Sequence, residues 1–517
     1  MTSGYRRAPA PAPCAGRARR PSTGCGGCVA RSPLRRSPSR WNAPPGRCAA
    51  PWATSAPTAK AWAPSSRGCG TPSIPETRSR SRSKARTVPV DAVAEARGGF
   101  AALDSCVHCG FCLQACPTFL ATGDEADSPR GRIELMRALE RGELTADDPY
   151  VVEHLDRCLG CRGCEPVCPS GVGYGHGLEA ARELIAATRP LPWLARAALA
   201  ALTTPGLSGL VYALARALRV TRIPGWLAGW GRVGFAMGML ASTAPTGGKR
   251  RNGAVRGGRS HAAPTASDRP LPPLTALLFR GCIMDGLFSH VHDATVRALT
   301  VNGYEVTDVP GQVCCGALHV HAGLRDAARA LARRNLSAFG DGDEPIVVNS
   351  AGCGALLKQY GDLLDLTPAA SAGARFAARV RDVTELLAAR GPVPGAPLDT
   401  RVAYDPPCHL LHAQRIAEPP LQMFRAIPVL QLVATPDAAQ CCGSAGLFTL
   451  VQPGMSRAVL APKVASLREA APQVVATGNP GCLMQLGAGL RAARIPARTR
   501  HPVELLDDSY RAAGYYA

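Results

Sequence analysis

Two copies of one cysteine run, CxxCxxCxxxCP, carry the strongest chemical signal in this sequence. The first copy contains Cys106, Cys109, Cys112 and Cys116, and the second contains Cys158, Cys161, Cys164 and Cys168. An iron–sulfur cluster needs four thiolates, and where two such runs occur together the last cysteine of each ligates the cluster of the other. We therefore predict two [4Fe–4S] clusters, one held by Cys106, Cys109, Cys112 and Cys168 and the other by Cys158, Cys161, Cys164 and Cys116.

Zinc sites and disulfides are the alternatives for these eight cysteines. Zinc also takes four thiolates, but its structural sites usually use two separated CxxC pairs rather than a triple and a distant fourth cysteine. Disulfides persist in oxidising compartments, and the sequence contains no apolar run typical of an export signal. Iron–sulfur ligation is therefore the interpretation that the spacing favours.

A second set of eight cysteines forms an internal repeat in the carboxyl-terminal half. Cys282, Cys314, Cys315 and Cys353 recur as Cys408, Cys441, Cys442 and Cys482, displaced by 126 to 129 residues. Each copy contains the sequence CCG, whose glycine we expect in a conformation that a side chain would forbid. Adjacent cysteines fit a regular cubane poorly, so each group predicts an unusual cluster, a redox-active thiol site or buried inert cysteines. Four nearby histidines could ligate metal, move protons or be purely structural: His319, His321, His409 and His412.

The elements that must position these repeated cysteines alternate between short β-prone runs and helical patterns. Each cysteine group follows an apolar run, as in TALLFRGC, PIVVNSAGC and QVVATGNPGC. Open α/β sheets gather ligands at the carboxyl ends of their strands, so each half can bring four thiolates into one crevice. In the amino-terminal half, Ser128 and Pro129 begin a predicted helix between the two cysteine runs, and a Gly-rich turn after Pro169 leads into another.

Composition divides the chain into six segments. Residues 1–92 form a basic Pro/Arg-rich extension that we expect to be disordered. Residues 93–190 form a two-cluster domain, residues 191–245 form a helical connector, and residues 246–272 form a flexible linker. Residues 273–395 and 396–517 are the two cysteine-rich domains. The predicted fold class is α+β overall: a small helical, ferredoxin-like domain for two clusters is followed by duplicated α/β cysteine-rich domains.

The formal net charge of +21 does not indicate a nucleic-acid partner, because most of it lies in the extension. Residues 1–90 hold 17 Lys and Arg residues against one acid, Glu76, which leaves +5 for the rest of the chain. The composition of the extension is similar to that of an organellar transit peptide, but its prolines disfavour the required helix. Its lone CxxC, Cys25 and Cys28, has no second pair with which to bind zinc.

The connector is apolar, but Arg216 and Arg219 interrupt its best stretch, so we expect no membrane span. Trp193, Trp226 and Trp230, with interleaved arginines, would suit helices that lie in a bilayer interface. A helical layer packed on this protein's own domains or on a partner subunit is the simpler interpretation.

The order of these motifs resembles the iron–sulfur subunit of glycolate oxidase. The resemblance covers about residues 98 to 517 and rests on the two cysteine runs, SPRGRI, the CCG pairs, NSAGC, DPPCH and NPGC. Subunits of lactate-utilisation, anaerobic glycerol-3-phosphate dehydrogenase and heterodisulfide reductase systems share these parts. In the fullest CCG pattern the last motif is CxxC. In this sequence Ser350 and Asn479 stand in place of the earlier cysteine of that motif, so the question whether either domain holds a further cluster stays open.

The resemblance implies an electron-transfer subunit of a glycolate (2-hydroxy acid) oxidase complex. It implies an FAD-containing glycolate oxidase subunit and a second flavin-domain subunit as partners, with a quinone or other membrane electron acceptor. Flavins accept a hydride, whereas iron–sulfur clusters take one electron at a time. Because the sequence lacks a convincing GxGxxG turn or P-loop, we expect no flavin on this chain.

Two other functions share these motifs. One is a stand-alone iron–sulfur thiol/disulfide oxidoreductase of the heterodisulfide reductase type, and the other is an iron–sulfur subunit for lactate or glycerol-3-phosphate oxidation. For all of them we expect a cytoplasmic protein, which could lie peripherally on the inner face of the cell membrane.

Overall fold

The computed structural model describes residues 98–204, 206–245 and 274–516. The predicted extension, the predicted linker and the lone CxxC of the extension lie outside these residues. Within them the chain has the predicted α+β architecture, with a helical domain followed by two α/β domains.

The first domain consists of short helices around a small apolar core. Its helices are Pro117–Thr122, Pro129–Glu140, Pro149–Asp156 and Tyr174–Thr188. The helix predicted between the cysteine runs is confirmed: the Ser128 side chain accepts a hydrogen bond from the Gly131 amide, and proline occupies the first turn, where its missing N–H costs nothing. Leu103, Met136 and Leu155 are fully buried between these helices, which fixes how the two cysteine loops face each other.

The connector folds into helices Trp193–Thr203, Leu207–Val220, Ile223–Leu227 and Arg232–Ala241. No single helix in the described ranges is long and apolar enough to cross a bilayer; the first two helices together meet the length and composition, but the chain bends by 92° between them. The last helix packs on Pro480–Ala492, where Gly238 lies against Ala488. The connector thus rests on the protein's own domains along one side.

Each cysteine-rich domain is a four-stranded parallel sheet with helices between the strands. The first sheet has the order β2-β1-β3-β4, from strands Leu274–Phe279, Tyr304–Asp308, Ile346–Val348 and Val380–Asp382. Its helices are Ile283–Val301, Ala317–His321, Arg325–Phe339, Ala351–Leu357, Tyr360–Leu363, Ala370–Arg379 and Val383–Arg390. Strand β1 therefore lies between β2 and β3, and the carboxyl ends of these strands form one crevice.

The second sheet repeats this topology as β6-β5-β7-β8, from strands Arg401–Tyr404, Gln431–Val433, Val474–Ala476 and Arg498–Arg500. A π-helix, His409–Ala413, follows β5, and α-helices Glu418–Arg425, Phe448–Val451, Pro453–Ala470, Pro480–Ala492 and Pro502–Ala512 complete the domain. The strand-by-strand match confirms that the cysteine repeat is a duplication of a whole α/β unit.

The two sheets share one apolar core, because helices of each domain pack against helices of the other. Helix Ile283–Val301 contacts helix Pro502–Ala512, and Val383–Arg390 contacts Glu418–Arg425. A polar seam runs beside this core: the Ala351 amide donates to the Gly478 carbonyl at 3.0 Å, and Ser350 Oγ donates to Asn479 Oδ1 at 3.5 Å. The duplicated domains therefore hold their cysteine groups in a fixed relation.

Candidate functional site

The two cysteine loops of the first domain share one backbone conformation. In each loop the residues two and four places after the first cysteine have positive φ: His108 (54°) and Gly110 (85°) in the first, Gly160 (62°) and Arg162 (58°) in the second. Each loop therefore contains one glycine and one non-glycine in the left-handed region, in opposite order. A side chain there costs about 1–2 kcal/mol, so the fold must compensate for it at His108 and Arg162.

Polar side-chain contacts restrain both of these strained residues. His108 Nε2 lies 2.9 Å from Glu134 Oε1 and 3.0 Å from Arg137 Nη1, on the helix between the loops. Arg162 Nε donates to Glu165 Oε1 at 2.9 Å, and the same oxygen accepts from the Gly175 amide at 2.8 Å. The loops are therefore held in shape by neighbouring helices.

The first loop lies at the surface. Cys106, Cys109, Cys112 and Cys168 line one recess, together with Cys164 of the second run. Cys109 is exposed, and Val107 and Phe111 beside it are 68% and 67% exposed. The recess thus brings together the four cysteines predicted for the first cluster and opens towards solvent.

The second loop is buried. Cys116, Cys158 and Cys164 are each less than 10% exposed. A negative charge on Cys158, Cys161 or Cys116 would raise the pKa of Cys164. The four cysteines predicted for the second cluster therefore lie in one neighbourhood. Burial, the largest effect, raises the pKa of the Cys164 thiol well above its usual range. Four such thiols without a positive partner would be costly to ionise.

Arg132 supplies that positive partner. Its guanidinium is fully buried and donates to the His154 carbonyl at 2.7 Å and to Thr118 Oγ1 at 3.0 Å, and it lies 3.9 Å from Cys116 Sγ. It also donates to the backbone carbonyl and the carboxylate of Asp127. Burial opposes the charge, but the neighbouring Cys158 thiol and other acidic groups raise the pKa of Arg132 above its ordinary value, so Arg132 stays cationic.

The cysteines of the first cysteine-rich domain converge after β1, β2 and β3. Cys282 begins helix Ile283–Val301, and its Sγ lies 3.5 Å from Cys314 Sγ. Cys315 lies within hydrogen-bonding reach of both Cys314 and Cys353. The hydrogen bond from Cys282 is the largest effect on the Cys314 thiol and lowers its pKa below the usual range, which favours the thiolate at Cys314.

The second domain builds a similar group with a charged support beneath it. Cys408 Sγ lies 3.9 Å from Cys441 Sγ, and Cys442 Sγ lies 3.3 Å from Cys482 Sγ. Nearby, the buried Lys463 ammonium donates to the Asp405 carboxylate and to the Asp437 carbonyl at 2.8 Å. Burial opposes the charge of Lys463, but Asp405, followed by Asp437 and Cys442, raises the pKa of Lys463, so this cation lies within electrostatic reach of the Cys442 thiol.

The cysteines of the two-cluster domain meet those of the second cysteine-rich domain. The Cys161 thiol lies within hydrogen-bonding reach of Cys441, and both pack in one apolar cluster with Leu159, Phe448 and Val459. This hydrogen bond is the largest effect that lowers the pKa of Cys161 and raises that of Cys441. Residues more than 270 positions apart therefore form one continuous sulfur-rich region.

The predicted histidines surround this junction without forming one ligand set. The His321 and His409 rings lie 5.4 Å apart, and burial lowers the pKa of His321 to about 3 and that of His409 to about 4, so both are neutral. His412 Nε2 donates to the Ala439 carbonyl at 2.8 Å. The Nδ1 atom of His319 is buried without a hydrogen-bond partner among the described residues.

The donor chemistry of these residues fits iron–sulfur clusters. None of the sixteen cysteines in the described ranges forms a disulfide, and each group of four converges within one loop pair or one crevice. Thiolates in sets of four are the ligands that such clusters need. Sequence analysis did not identify Arg132, the Asp405–Lys463 pair or the Cys161–Cys441 contact; SPRGRI and DPPCH were visible motifs, but no residue pattern around Lys463 distinguished it from a solvated lysine.

Comparisons with known proteins agree with this division. A family described as "4Fe-4S dicluster domain" matches residues 102–172, and one described as "Cysteine-rich domain" matches residues 276–358 and 402–487. The chain is 32% identical over 440 residues to the probable glycolate oxidase iron–sulfur subunit of Bacillus subtilis (strain 168), covering 80% of this chain and 94% of that protein. It is 31% identical over 454 residues to the glycolate oxidase iron–sulfur subunit of Escherichia coli (strain K12), covering 83% and 97%. Lactate utilization protein A of Geobacillus kaustophilus (strain HTA426) is 30% identical over 233 residues, 44% of this chain and 97% of that protein.

Proposed function

We propose that this chain, which belongs to the family of glycolate oxidase iron–sulfur subunits, carries electrons from a partner flavoprotein to a quinone or other membrane acceptor. The partner would be an FAD-containing subunit that oxidises glycolate or a related 2-hydroxy acid, with a second flavin-domain subunit in the complex. The observation that carries the proposal is the Cys161–Cys441 contact, because it connects the two-cluster domain to a second sulfur site inside one chain.

The ligand assignment follows the two neighbourhoods described above. We assign Cys106, Cys109, Cys112 and Cys168 to a first [4Fe–4S] cluster and Cys158, Cys161, Cys164 and Cys116 to a second. The common recess of the first four and the common burial of the second four support this assignment. Such clusters, when bound, take up one electron at a time, which suits the stepwise discharge of a reduced flavin.

The exposed loop is the side at which we expect the flavoprotein to dock. Val107 and Phe111 present apolar side chains to solvent next to the exposed Cys109, and the recess beside them is mainly apolar. Exposed apolar groups around a site are typical of protein interfaces. These side chains would exclude water from the contact and bring the partner close to the first cysteine group.

The buried loop directs electrons inwards. Leu159, Phe448 and Val459 pack with the buried Cys441 and the partly buried Cys161, and Arg132 provides positive charge next to Cys116. The second cysteine-rich domain is therefore the next site in our proposal. Whether its four cysteines and those of the first domain hold further clusters is a question that iron content answers.

The test is co-expression with the flavin subunits, anaerobic purification, iron analysis and low-temperature EPR. We expect at least about eight irons per chain, the number for two cubane clusters. Cys109→Ser should abolish acceptor reduction by glycolate while the partner's flavin is still reduced. Loss of flavin reduction in an intact complex would contradict the division of labour, and fewer than about eight irons would contradict the ligand assignment.

Two pairs of variants test the exchange of ligands between the two runs. Cys116→Ser should alter the same EPR signal as Cys161→Ser, and Cys168→Ser should alter the same signal as Cys109→Ser. If Cys116→Ser instead alters the signal that Cys109→Ser alters, each run holds its own cluster and the assignment is wrong.

A thiol/disulfide oxidoreductase is the second candidate, because two sulfur pairs lie close together. Cys442–Cys482 and Cys282–Cys314, at 3.3 and 3.5 Å, are within reach of redox-coupled thiol chemistry. A purified chain that reduces a disulfide substrate without the flavin subunits would favour this function. Glycolate-dependent cluster reduction that requires the flavoprotein would favour electron transfer.

A further inference from the structure

The connector turns an apolar stripe away from the protein. In helix Leu207–Val220, Leu207, Leu210, Leu214 and Leu218 follow helical spacing and are all exposed. The opposite side of the helix contains Tyr212, Arg216 and Arg219. Of the residues of this helix, only Tyr212 is buried. This arrangement is the reverse of an ordinary surface helix, whose apolar stripe faces the core.

The inward side is fixed by specific contacts. Arg216 Nη1 donates to the Gly286 carbonyl at 2.7 Å, and Arg219 Nη1 donates to the Thr243 and Leu287 carbonyls at 2.7 and 3.2 Å. The Tyr212 ring packs directly on Gly286, leaving no space for a side chain there. The outward orientation of the leucines is therefore built into the fold.

The connector segments that contact this helix expose further apolar side chains. Trp193 and Trp226 are 76% and 83% exposed, and Trp230 and Val233 are also exposed. Of the 23 large exposed apolar residues in the described ranges, 12 lie between residues 193 and 233. We call this surface, formed by the exposed apolar side chains of residues 193–233, the connector face. A patch this concentrated indicates a binding surface rather than scattered exposure.

Charge around the connector face identifies its occupant. No Asp or Glu occurs between residues 184 and 267, whereas Arg196, Arg222 and Arg232 are exposed beside the apolar side chains. Leucine and tryptophan on one side with arginine at the margin is the composition of helices that lie in a membrane interface. A protein partner would have to supply all the negative charge itself, whereas an anionic bilayer surface presents it uniformly.

We propose that the connector face docks on an anionic lipid bilayer, with the helices lying in the interface rather than crossing it. The 92° bend between helices Trp193–Thr203 and Leu207–Val220 suits surface attachment, because neither helix alone is long enough to span. The proposal is independent of the electron-transfer role.

The test is co-sedimentation of the full chain with vesicles of phosphatidylglycerol and phosphatidylcholine, and with phosphatidylcholine alone. The variant replaces Leu210, Leu214 and Trp226 by glutamine. The control makes Leu366→Gln and Leu432→Gln, because these two leucines are exposed outside the connector. The basic extension is present in both, so binding is also measured at about 1 M salt, where the Debye length is about 3 Å and purely electrostatic binding is screened.

We expect salt-resistant binding of the wild type to anionic vesicles, a reduction of more than about tenfold in the three-site variant, equivalent to about 1.4 kcal/mol, and no change in the control. Equal binding of variant and wild type, or binding that disappears in high salt, would overturn the proposal. The proposal would also be overturned if the wild type does not bind vesicles and the three-site variant no longer co-purifies with the flavin subunits. The connector face would then be a binding surface for a protein partner.

A second measurement does not depend on that variant folding. Quenching of tryptophan fluorescence by lipids brominated near the headgroup should be strong in the wild type and weak after Trp193, Trp226 and Trp230 are changed to phenylalanine, which leaves the extension's tryptophans as background. Equal quenching in both proteins would place no connector tryptophan in the bilayer and would refute the docking.

Discussion

Replacing Arg132 by methionine should destabilise the two-cluster domain by about 3 kcal/mol or more. The side chain is fully buried, and methionine would remove its hydrogen bonds to the His154 carbonyl and Thr118 and its ion pair with Asp127. Breaking a buried pair typically costs about 3–5 kcal/mol, because the remaining charge is left uncompensated. Asp127 keeps contacts with His154 and Arg157, which places the expected loss at the lower end of that range.

The same change should lower the midpoint potential of the second cluster that we propose. Arg132 Nη1 lies 3.9 Å from Cys116 Sγ, where two unit charges interact by about 4 kcal/mol at an effective dielectric constant of 20. If about a third of this energy acts on the added electron, the potential falls by about 60 mV, since about 1.4 kcal/mol corresponds to 59 mV for one electron.

Anaerobic urea unfolding and a redox titration followed by EPR measure the two effects. Arg141→Met is the matched control, because Arg141 lies at the carboxyl end of the same helix and pairs with Glu143 at the surface, away from both cysteine loops. The control should keep the wild-type unfolding midpoint and potential. An Arg132→Met protein that matches the control in both measurements would refute the reasoning, because the buried cation would then support neither the fold nor the cysteine group.

Three further predictions concern the cysteine-rich domains. Burial lowers the pKa of His501 to about 3, so its neutral form stabilises the fold above about pH 6.5 and this stability is lost as the pH falls. When the pH is lowered from about 7.5 to about 5.5, the free energy of urea unfolding should fall by about 1.4 kcal/mol more in the wild type than in His501→Asn, whereas an equal loss in both proteins would argue against this histidine. Gly443→Ala should lower the free energy of unfolding by at least about 2 kcal/mol, because φ is 84° at Gly443 and the new Cβ would meet the Ser456 carbonyl. Gly123→Ala should lower it by less, because Gly123 also has positive φ but faces open space. Equal urea midpoints for the two variants would contradict this prediction. Lys463→Met should lower the free energy of unfolding by about 3–5 kcal/mol, because it leaves the Asp405 carboxylate buried without its cation. An unchanged thermal midpoint would contradict this prediction.

Much of the fold could be predicted because its signals are local. The apolar runs before the cysteines became strands β1, β2, β3, β5, β6 and β7, and the capping residues Ser128 and Pro129 began the expected helix. Strands Val380–Asp382 and Arg498–Arg500 gave no such signal. They are three residues long and partly charged, and only pairing with β3 and β7 makes them strands.

The remainder of the site depends on tertiary contacts that leave no local pattern. Lys463 has the sequence context of a surface residue, and only the packing of its helix over β5 and the following loop buries it against Asp405. The contact between Cys161 and Cys441 joins segments from different domains. The helical spacing of the connector leucines was visible, but their direction depends on the anchoring of Arg216 and Arg219, which sequence spacing does not specify.

The seam between the duplicated domains behaves like the interface of a symmetric dimer fused into one chain. Ser350 and Asn479 occupy equivalent positions of the repeat, and they contact each other, as residues on a two-fold axis must. The symmetry is broken nearby. The Ala351 amide donates to the Gly478 carbonyl, but the residue equivalent to Ala351 in the second copy is Pro480, which has no N–H to donate. The Asn349 carbonyl, which would accept that symmetric bond, accepts one from His501 Nε2 at 2.9 Å. The two halves have thus become complementary rather than interchangeable, so neither copy could replace the other in a self-paired assembly.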